Sequence, residues 1–272
     1  MLMPIDAKYG RLQRILAEGG PTLVCYSGGV DSAFLLKVAV DVLGDGAVAL
    51  TAVSPSLAAE EREAAARLAR EIGARHVEVE THEMAEAGYV ANSPRRCYFC
   101  KGALFTEAKR VARELGLSTI VYGVNADDAA DFRPGMEAAR EHGIGGPLLE
   151  VGLGKAEIRE LSRRLGLATA DKPAQPCLAS RLPYGTRVTV ERLRTVERGE
   201  TALRRLGFRE LRVRHHGDVA RIEVPEADLP RLLEPRTRQA VVAALRDAGF
   251  RHVAVDLQGL RSGSLNEGIA RA

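Results

Sequence analysis

Tryptophan is absent from this 272-residue chain, and aromatic residues make up only 4% of it. Leu, Val and Ala must therefore fill the core, and an apolar share of 46% against 28% charged supplies ample material. No apolar run approaches the roughly 18 residues that a bilayer-spanning helix needs. The opening Met1-Leu2-Met3-Pro4-Ile5-Asp6 lacks a basic stretch followed by an apolar one, so no signal peptide is expected. Cysteine is scarce: Cys25, Cys97, Cys100 and Cys177 are too few for a disulfide framework in a chain of this length. They fit a reduced, cytoplasmic setting in which thiols serve metal or sulfur chemistry. Lysine is missing from residues 187–272, where 17 Arg face 12 acidic side chains. That segment is net +5 and residues 1–186 are net −2, within an overall +3 too balanced to mark a nucleic-acid protein. The basic end suits an anionic ligand, either a phosphorylated small molecule or RNA; the alternative is an Arg-rich solvated surface. Internal repeats and low-complexity tracts are lacking too.

What is present, over the first two-thirds, is an alternation of short β-rich runs with helical patterns. Residues 22–26 read as a buried strand, followed by a glycine turn and a helix over 31–43. Further strands are expected at 48–53, 76–79 and 119–123. Helices are expected at 58–72, from the Cys97/Cys100 pair to 115, and at 155–165. Strands separated by helices of this length imply right-handed crossovers and a parallel sheet, hence an α/β fold. After Pro183-Tyr184-Gly185 the pattern changes to a long helix over 189–206, alternating runs at 211–214 and 220–224, two short helices and a last strand at 253–257. The expected division is a larger domain over 1–186 and a smaller α+β domain over 187–272.

The strongest local signal is Ser27-Gly28-Gly29-Val30-Asp31-Ser32, directly after the first strand and opening a helix. Two glycines let the backbone turn sharply and approach a ligand closely. The helix start offers free N–H groups and a positive dipole end to an anion. Ser27 and Ser32 add hydroxyls, and Asp31 suits Mg²⁺ or an N–H. Neither Walker A nor GxGxxG is matched. The segment resembles the SGGxDS signature of the PP-loop ATP pyrophosphatases, which implies a PP-loop, adenine nucleotide alpha hydrolase-like sheet and cleavage of ATP between its α- and β-phosphates. In that superfamily the end of the second strand contacts adenine, so Ala52, Val53 and Ser54 are adenosine-pocket candidates by resemblance. An adenylation site needs a clamp on the departing pyrophosphate. Asn125, Asp127 and Asp128, in GVNADD at the end of the fourth strand, are candidate ligands, with solvated loop carboxylates as the alternative. Lys101, Lys155 and Arg181 are candidate cations.

Cys97 and Cys100 form a CxxC, a spacing that lets two thiolates face one metal, although one such pair is a weak signal. Zinc would want a fourth ligand, and Cys25 sits inside the expected first strand. Three cysteines with one open position suit a 4Fe–4S cluster better, and a helix start following Cys97 would lower the thiol pKa values. Cys177 lies in a Pro-stiffened segment, DKPAQPCLASR, where Ser180 and Arg181 can bind phosphate; the alternative is a small core residue.

Together SGGVDS, SPRRCYFCK (93–101), GVNADD (123–128), DFRPGMEAA (131–139), DKPAQPCLASR (171–181) and LRSGSLNEG (260–268) make the chain resemble the LarE family of ATP-dependent sulfur transferases. The resemblance implies a role in making the nickel-pincer nucleotide cofactor of lactate racemase. The carboxylates of pyridinium-3,5-biscarboxylic acid mononucleotide would be adenylated and converted to thiocarboxylates. It also implies homo-oligomers, often hexamers, a C-terminal domain for substrate binding and oligomerisation, and as partners a sulfide donor and a downstream nickel-insertion enzyme. Family members with one cysteine in the CLASR motif give up that sulfur; members with a CxxC as well are thought to hold a 4Fe–4S cluster. With Cys97, Cys100 and Cys177 all present, the cluster form is expected here.

The implied mechanism has Ser27–Ser32 and Mg²⁺ binding ATP, substrate carboxylate attacking the α-phosphorus, and sulfide displacing AMP. Arg212 and Arg214 alternate with Val213 on one strand, so they share a face from which to clamp the substrate phosphate; a solvated face is the alternative. Glu200 and Glu223 match family positions near the pocket and are metal-ligand candidates, with surface residues as the alternative. His215 and His216 are adjacent on a strand, point to opposite faces and are read as surface residues. A rival reading is tRNA thiolation, against which stand the absence of zinc-knuckle cysteines and of Lys/aromatic interleaving. A PP-loop amide synthase would need a glutaminase partner, and nothing here resembles such a domain. A non-enzymatic reading is a nucleotide-binding protein with a structural metal.

Overall fold

The computed structural model describes residues 3–130 and 133–261. The chain forms two compact units. The first runs through Ser54 and takes in Ala59–Glu86 and Arg95–Gln175; the second comprises Pro55–Ala58, Ala87–Pro94 and the chain from Pro176. Among the described residues no helix is long and apolar enough to cross a membrane.

In the first unit, helix α1 (Ile5–Gly19) leads into β1 (Thr22–Cys25), α2 (Val30–Leu43), β2 (Ala47–Val53), α3 (Ala59–Ile72) and β3 (Arg75–Glu80). The short α4 (Ala87–Val90) belongs to the second unit. The first then resumes with α5 (Arg96–Glu114), β4 (Thr119–Tyr122), α6 (Pro134–Glu141), α7 (Pro147–Glu150) and α8 (Lys155–Arg164). The four strands form an all-parallel sheet in the order β3-β2-β1-β4, which is the α/β architecture the alternating pattern implies. β1 is buried on both faces. Val24 and Tyr26 enter one core with Leu12 and Leu16 of α1, most of α2 and the apolar face of α3, while Leu23 and Cys25 enter the other with α5 and α6. A strand with two packed faces reads as an unbroken apolar run, as Thr22-Leu23-Val24-Cys25-Tyr26 does.

α1 and α6 go beyond the sequence reading. α1 turns Ile5, Tyr9, Leu12, Ile15 and Leu16 toward the first core at helical spacing, and starts at Pro4 without a side-chain cap. α6 is short, eight residues opening on Pro134.

The second unit carries α9 (Val190–Arg205), β5 (Arg212–His216), β6 (Val219–Glu223), α10 (Leu229–Leu233), α11 (Pro235–Ala248) and β7 (His252–Val255). Its sheet has the order β5-β6-β7, the first pair antiparallel and the second parallel. The two helices expected before the last strand are present, α10 with five residues and α11 longer than expected with 14. Thr189 caps α9 by accepting from the Arg192 N–H. His215 corrects its surface reading: it is buried, with its ring centroid 5.4 Å from that of Phe250, while His216 is exposed. The two do face opposite ways, but Phe250 and the core beneath β5 cover one face. Asn92, in the left-handed region at φ 54 and fully buried, donates its amide N–H groups to the carbonyls of Leu182, Pro183 and Thr186 and so stitches that turn to the segment after α4.

Candidate functional site

In the sheet order β3-β2-β1-β4 the chain changes direction at β1, and the crevice outside the carboxyl ends of β1 and β4 is where an open α/β sheet binds ligands. Two motifs meet there. Ser27–Ser32 turns from β1 into α2, and Gly123 of GVNADD follows β4. A Cβ on Gly123 would stand 2.8 Å from the Ser32 nitrogen, so only glycine lets the start of α2 press against the end of β4. Gly28 has φ +70, and a Cβ there would sit 2.9 Å from Ala65 Cβ of α3.

The loop is closed on itself. Ser27 N–H donates to Ser32 Oγ at 3.2 Å, Ser32 Oγ donates to the Gly29 carbonyl at 3.2 Å, and the two hydroxyls lie 3.1 Å apart. Gly29 is the N-cap of α2, so Val30, Asp31 and Ser32 contribute the first-turn N–H groups that a helix leaves without internal acceptors. Asp31 Oδ2 accepts from Lys155 Nζ at 2.5 Å, while Asp31 Oδ1 is buried with no hydrogen-bond partner among the described residues. A buried lone carboxylate oxygen in a phosphate-type loop is the donor a hard cation such as Mg²⁺ takes, so this residue fits that ion.

After β4, Asn125 is buried and its Oδ1 accepts from the N–H groups of Asp127 and Asp128. Asp128 accepts from the Asn125 N–H and pairs with Arg133 at 2.8 Å. Asp127 Oδ2 accepts from the Lys155 N–H at 2.7 Å, capping α8. Lys155 therefore joins both acidic motifs, through its ammonium to Asp31 and through its backbone to Asp127. At the end of β2, Ala52 packs on the second core and the Val53 carbonyl accepts from the Thr81 N–H; Ser54 follows directly. Lys101 lies on α5 with its ammonium 5.9 Å from the Phe105 ring centroid. Sequence reasoning passed over Lys172, which donates to Glu61 at 2.7 Å and to the Gly28 carbonyl at 3.3 Å.

The four thiols sort sharply. Cys25 is fully buried in β1, and burial pushes its pKa up to about 12, so it stays neutral. Cys97 is exposed and Cys100 half-buried in the first two turns of α5, three residues apart and so on one helix face. Cys177 is exposed in the second unit at the start of a 3₁₀ turn, Leu178–Arg181. Three accessible thiols, with the fourth withdrawn, fit the donor chemistry of an iron–sulfur cluster. Among the described residues no three His, Cys, Asp or Glu side chains are grouped as a metal site.

The second unit holds the basic cluster. Arg181 is buried and grips Glu200 at two points, 2.8 and 3.0 Å, and its NH1 also donates to the carbonyls of Pro176 and Cys177 and to Ser180 Oγ. Glu200 further accepts from Arg204 and the Val213 N–H. Arg214, also buried, takes Glu223 at 2.9 and 2.8 Å and donates to the Ser180 carbonyl at 2.8 Å; Arg221 also reaches Glu223. Glu200 and Glu223, candidates for metal, are each held by two guanidiniums. Arg212 differs: its NH1 donates to the Arg261 carbonyl, and no carboxylate pairs with it among the described residues. Burial, and then the charges of Arg214 and Arg181, hold its pKa below the usual arginine value against the opposing pull of Glu223 and Glu200. Asp131, Phe132 and residues 262–268 of the quoted motifs lie outside the described residues.

A four-stranded parallel sheet with SGGVDS leaving the inner strand β1 defines an α/β domain of the PP-loop type. No family model matches the chain. It is 45% identical over 267 residues to an uncharacterized protein of Synechocystis sp., covering 98% of this chain and 100% of that one. It is 37% identical over 250 residues, 92% of this chain and 90% of the relative, to the pyridinium-3,5-bisthiocarboxylic acid mononucleotide synthase of Lactiplantibacillus plantarum. An uncharacterized protein of Methanocaldococcus jannaschii is 30% identical over 173 residues, 64% of this chain and 67% of that one. The chain belongs to the LarE family, that of the bisthiocarboxylic acid mononucleotide synthase.

Proposed function

We propose that this chain is an ATP-dependent sulfur transferase that turns the two carboxylates of pyridinium-3,5-biscarboxylic acid mononucleotide into thiocarboxylates, on the way to a nickel-pincer nucleotide cofactor. One observation carries the reading: a chain 37% identical to such a synthase keeps a phosphate-type loop in which Asp31 presents, beside Lys155, a buried oxygen with no partner among the described residues.

ATP's triphosphate lies on Ser27–Ser32, with Ala52, Val53 and Ser54 toward adenosine and Asn125, Asp127, Asp128 and Lys101 around the crevice. Asp31 would hold Mg²⁺, which offsets charge on the departing pyrophosphate. A substrate carboxylate oxygen attacks the α-phosphorus, the bond to pyrophosphate breaks, and an acyl-adenylate forms. Sulfur then adds to the activated carbonyl, the carbon–oxygen bond to AMP breaks, and AMP leaves. Arg212, which no carboxylate pairs with among the described residues, takes the phosphate of the substrate mononucleotide. Arg181 and Arg214, fixed by Glu200 and Glu223, act through the backbone by holding the Pro176–Ser180 carbonyls that frame Cys177. Cys97, Cys100 and Cys177 would hold a 4Fe–4S cluster supplying a renewable sulfide, and the working form is a homo-oligomer.

The test is incubation of the chain with ATP, Mg²⁺, sulfide and the biscarboxylate nucleotide. Substrate-dependent pyrophosphate and a product in which sulfur has replaced oxygen are expected. ATP binding without substrate-dependent pyrophosphate would sink the enzymatic reading in favour of a nucleotide-binding protein. Salt-sensitive binding of bulk tRNA would favour tRNA thiolation.

A further inference from the structure

Lys172 sits on the chain leading out of α8, in a segment pinned from below: Arg159 donates to the carbonyls of Ala170 and Lys172, and the Lys172 N–H donates to the Thr169 carbonyl. Its ammonium bridges two elements of the first unit, Glu61 in the first turn of α3 at 2.7 Å and the carbonyl of Gly28 in the phosphate loop at 3.3 Å. The same loop residue packs on Ala65, one helical turn beyond Glu61, so this end of α3 lies against the loop. Both side chains remain partly open, 21% and 26% exposed.

This arrangement has an electrostatic consequence. Glu61 places a negative charge beside a loop built to receive a polyanion, and Lys172 neutralises it. An ammonium has three donors on a flexible stem, so it can keep the Gly28 carbonyl while exchanging one carboxylate for a phosphate oxygen. Lys155, whose ammonium also touches the loop, is already committed to Asp31.

We propose that Lys172 is a binding residue for the polyphosphate of ATP, held ready at the phosphate loop by Glu61 until nucleotide replaces that carboxylate. The inference rests on the nucleotide site of the proposed function. It concerns binding of the triphosphate alone, which can be measured without substrate or cluster.

The experiment is titration calorimetry of the full chain with MgATP, inorganic pyrophosphate and adenosine. Lys172→Gln should weaken ATP and pyrophosphate about tenfold, the loss of one charge-assisted hydrogen bond, and leave adenosine unchanged. Lys172→Arg, which keeps the charge, should stay within about threefold of the unaltered chain, and Glu61→Gln should bind ATP as tightly or more tightly. If Lys172→Gln binds ATP like the unaltered chain, the inference fails and the proposed function stands. An equal loss of ATP affinity in Glu61→Gln and Lys172→Gln, or a parallel loss of adenosine, would show a pair that only shapes the loop and would also overturn it. Failure of the unaltered chain to bind ATP overturns both readings.

Discussion

Arg181 and Glu200 form a two-point ion pair, Nε to Oε1 at 2.8 Å and NH2 to Oε2 at 3.0 Å, with 2% and 1% of their side chains exposed. The same guanidinium holds the carbonyls of Pro176 and Cys177, so a charge pair in the second unit fixes the backbone that carries an exposed thiol. Removing one partner of a buried pair strands the other, at a cost of about 3–5 kcal/mol. Glu200→Gln is therefore expected to lower the melting temperature clearly. Arg181→Lys should in addition speed hydrogen exchange at 176–181. A melting temperature unchanged in Glu200→Gln would contradict the pairing.

Gly28→Ala places a Cβ 2.9 Å from Ala65 at a backbone angle of +70. The left-handed angle alone costs about 1–2 kcal/mol, and the clash adds to it. ATP affinity should fall at least about tenfold with little loss of overall helicity by circular dichroism, because the loop is distorted and the sheet is not.

Asp31→Asn removes the negative charge that faces Lys155 and leaves a single neutral oxygen where Asp31 offers two for Lys155 and Mg²⁺. Substrate-dependent pyrophosphate release should drop by about 10²-fold or more, the scale seen when one preorganised electrostatic group is lost from a reaction centre. Excess Mg²⁺ should not restore it.

The thiols separate by exposure. Cys25, buried with a pKa of about 12, should tolerate Cys25→Ala with sulfur transfer intact. Cys97→Ala and Cys100→Ala should each end multiple turnovers, and Cys177→Ala should abolish transfer. Anaerobic reconstitution followed by iron and sulfide counting checks the cluster directly. Multiple turnovers surviving in Cys97→Ala and Cys100→Ala, with Cys177 lighter by H₂S after reaction, would replace the cluster with a sacrificial cysteine.

Burial holds the His215 pKa below its ordinary 6.5, with the charges of Arg192 and His216 acting in the same direction. The unfolded chain therefore takes up a proton at this residue before the folded one does. The stabilisation is present above the unfolded value of 6.5 and is lost as pH falls through the lower folded value. His76 and His142 are shifted the same way, each mainly by burial. Melting temperature should thus fall between about pH 7.5 and about pH 5.5, and His215→Gln should reduce that fall. Equal slopes in the two chains would count against a buried neutral His215.

The loop and the α/β alternation were legible in the chain because both are local. The six residues of SGGVDS specify a strand–turn–helix by their own backbone preferences, and an unbroken apolar run such as 22–26 announces a strand covered on both faces. α1 was passed over although Ile5, Tyr9, Leu12, Ile15 and Leu16 recur at helical spacing, because no capping side chain marks its start at Pro4. Lys172 was not legible as a loop residue either: its partner Glu61 is 111 positions away and no short-range pattern links them.

By itself the sequence determined the class of chemistry: a phosphate-type loop, three accessible-looking thiols apart from a strand cysteine, and an arginine-rich end. Only the tertiary structure decided how those charges are spent. Glu200 and Glu223 are saturated by arginines, Arg181 and Arg214 brace backbone carbonyls, and Arg212 is left without a carboxylate among the described residues. The reason is that residue type sets the sign of a side chain's charge, whereas its partner depends on which distant segments the fold brings within about 3 Å in a place that water does not reach.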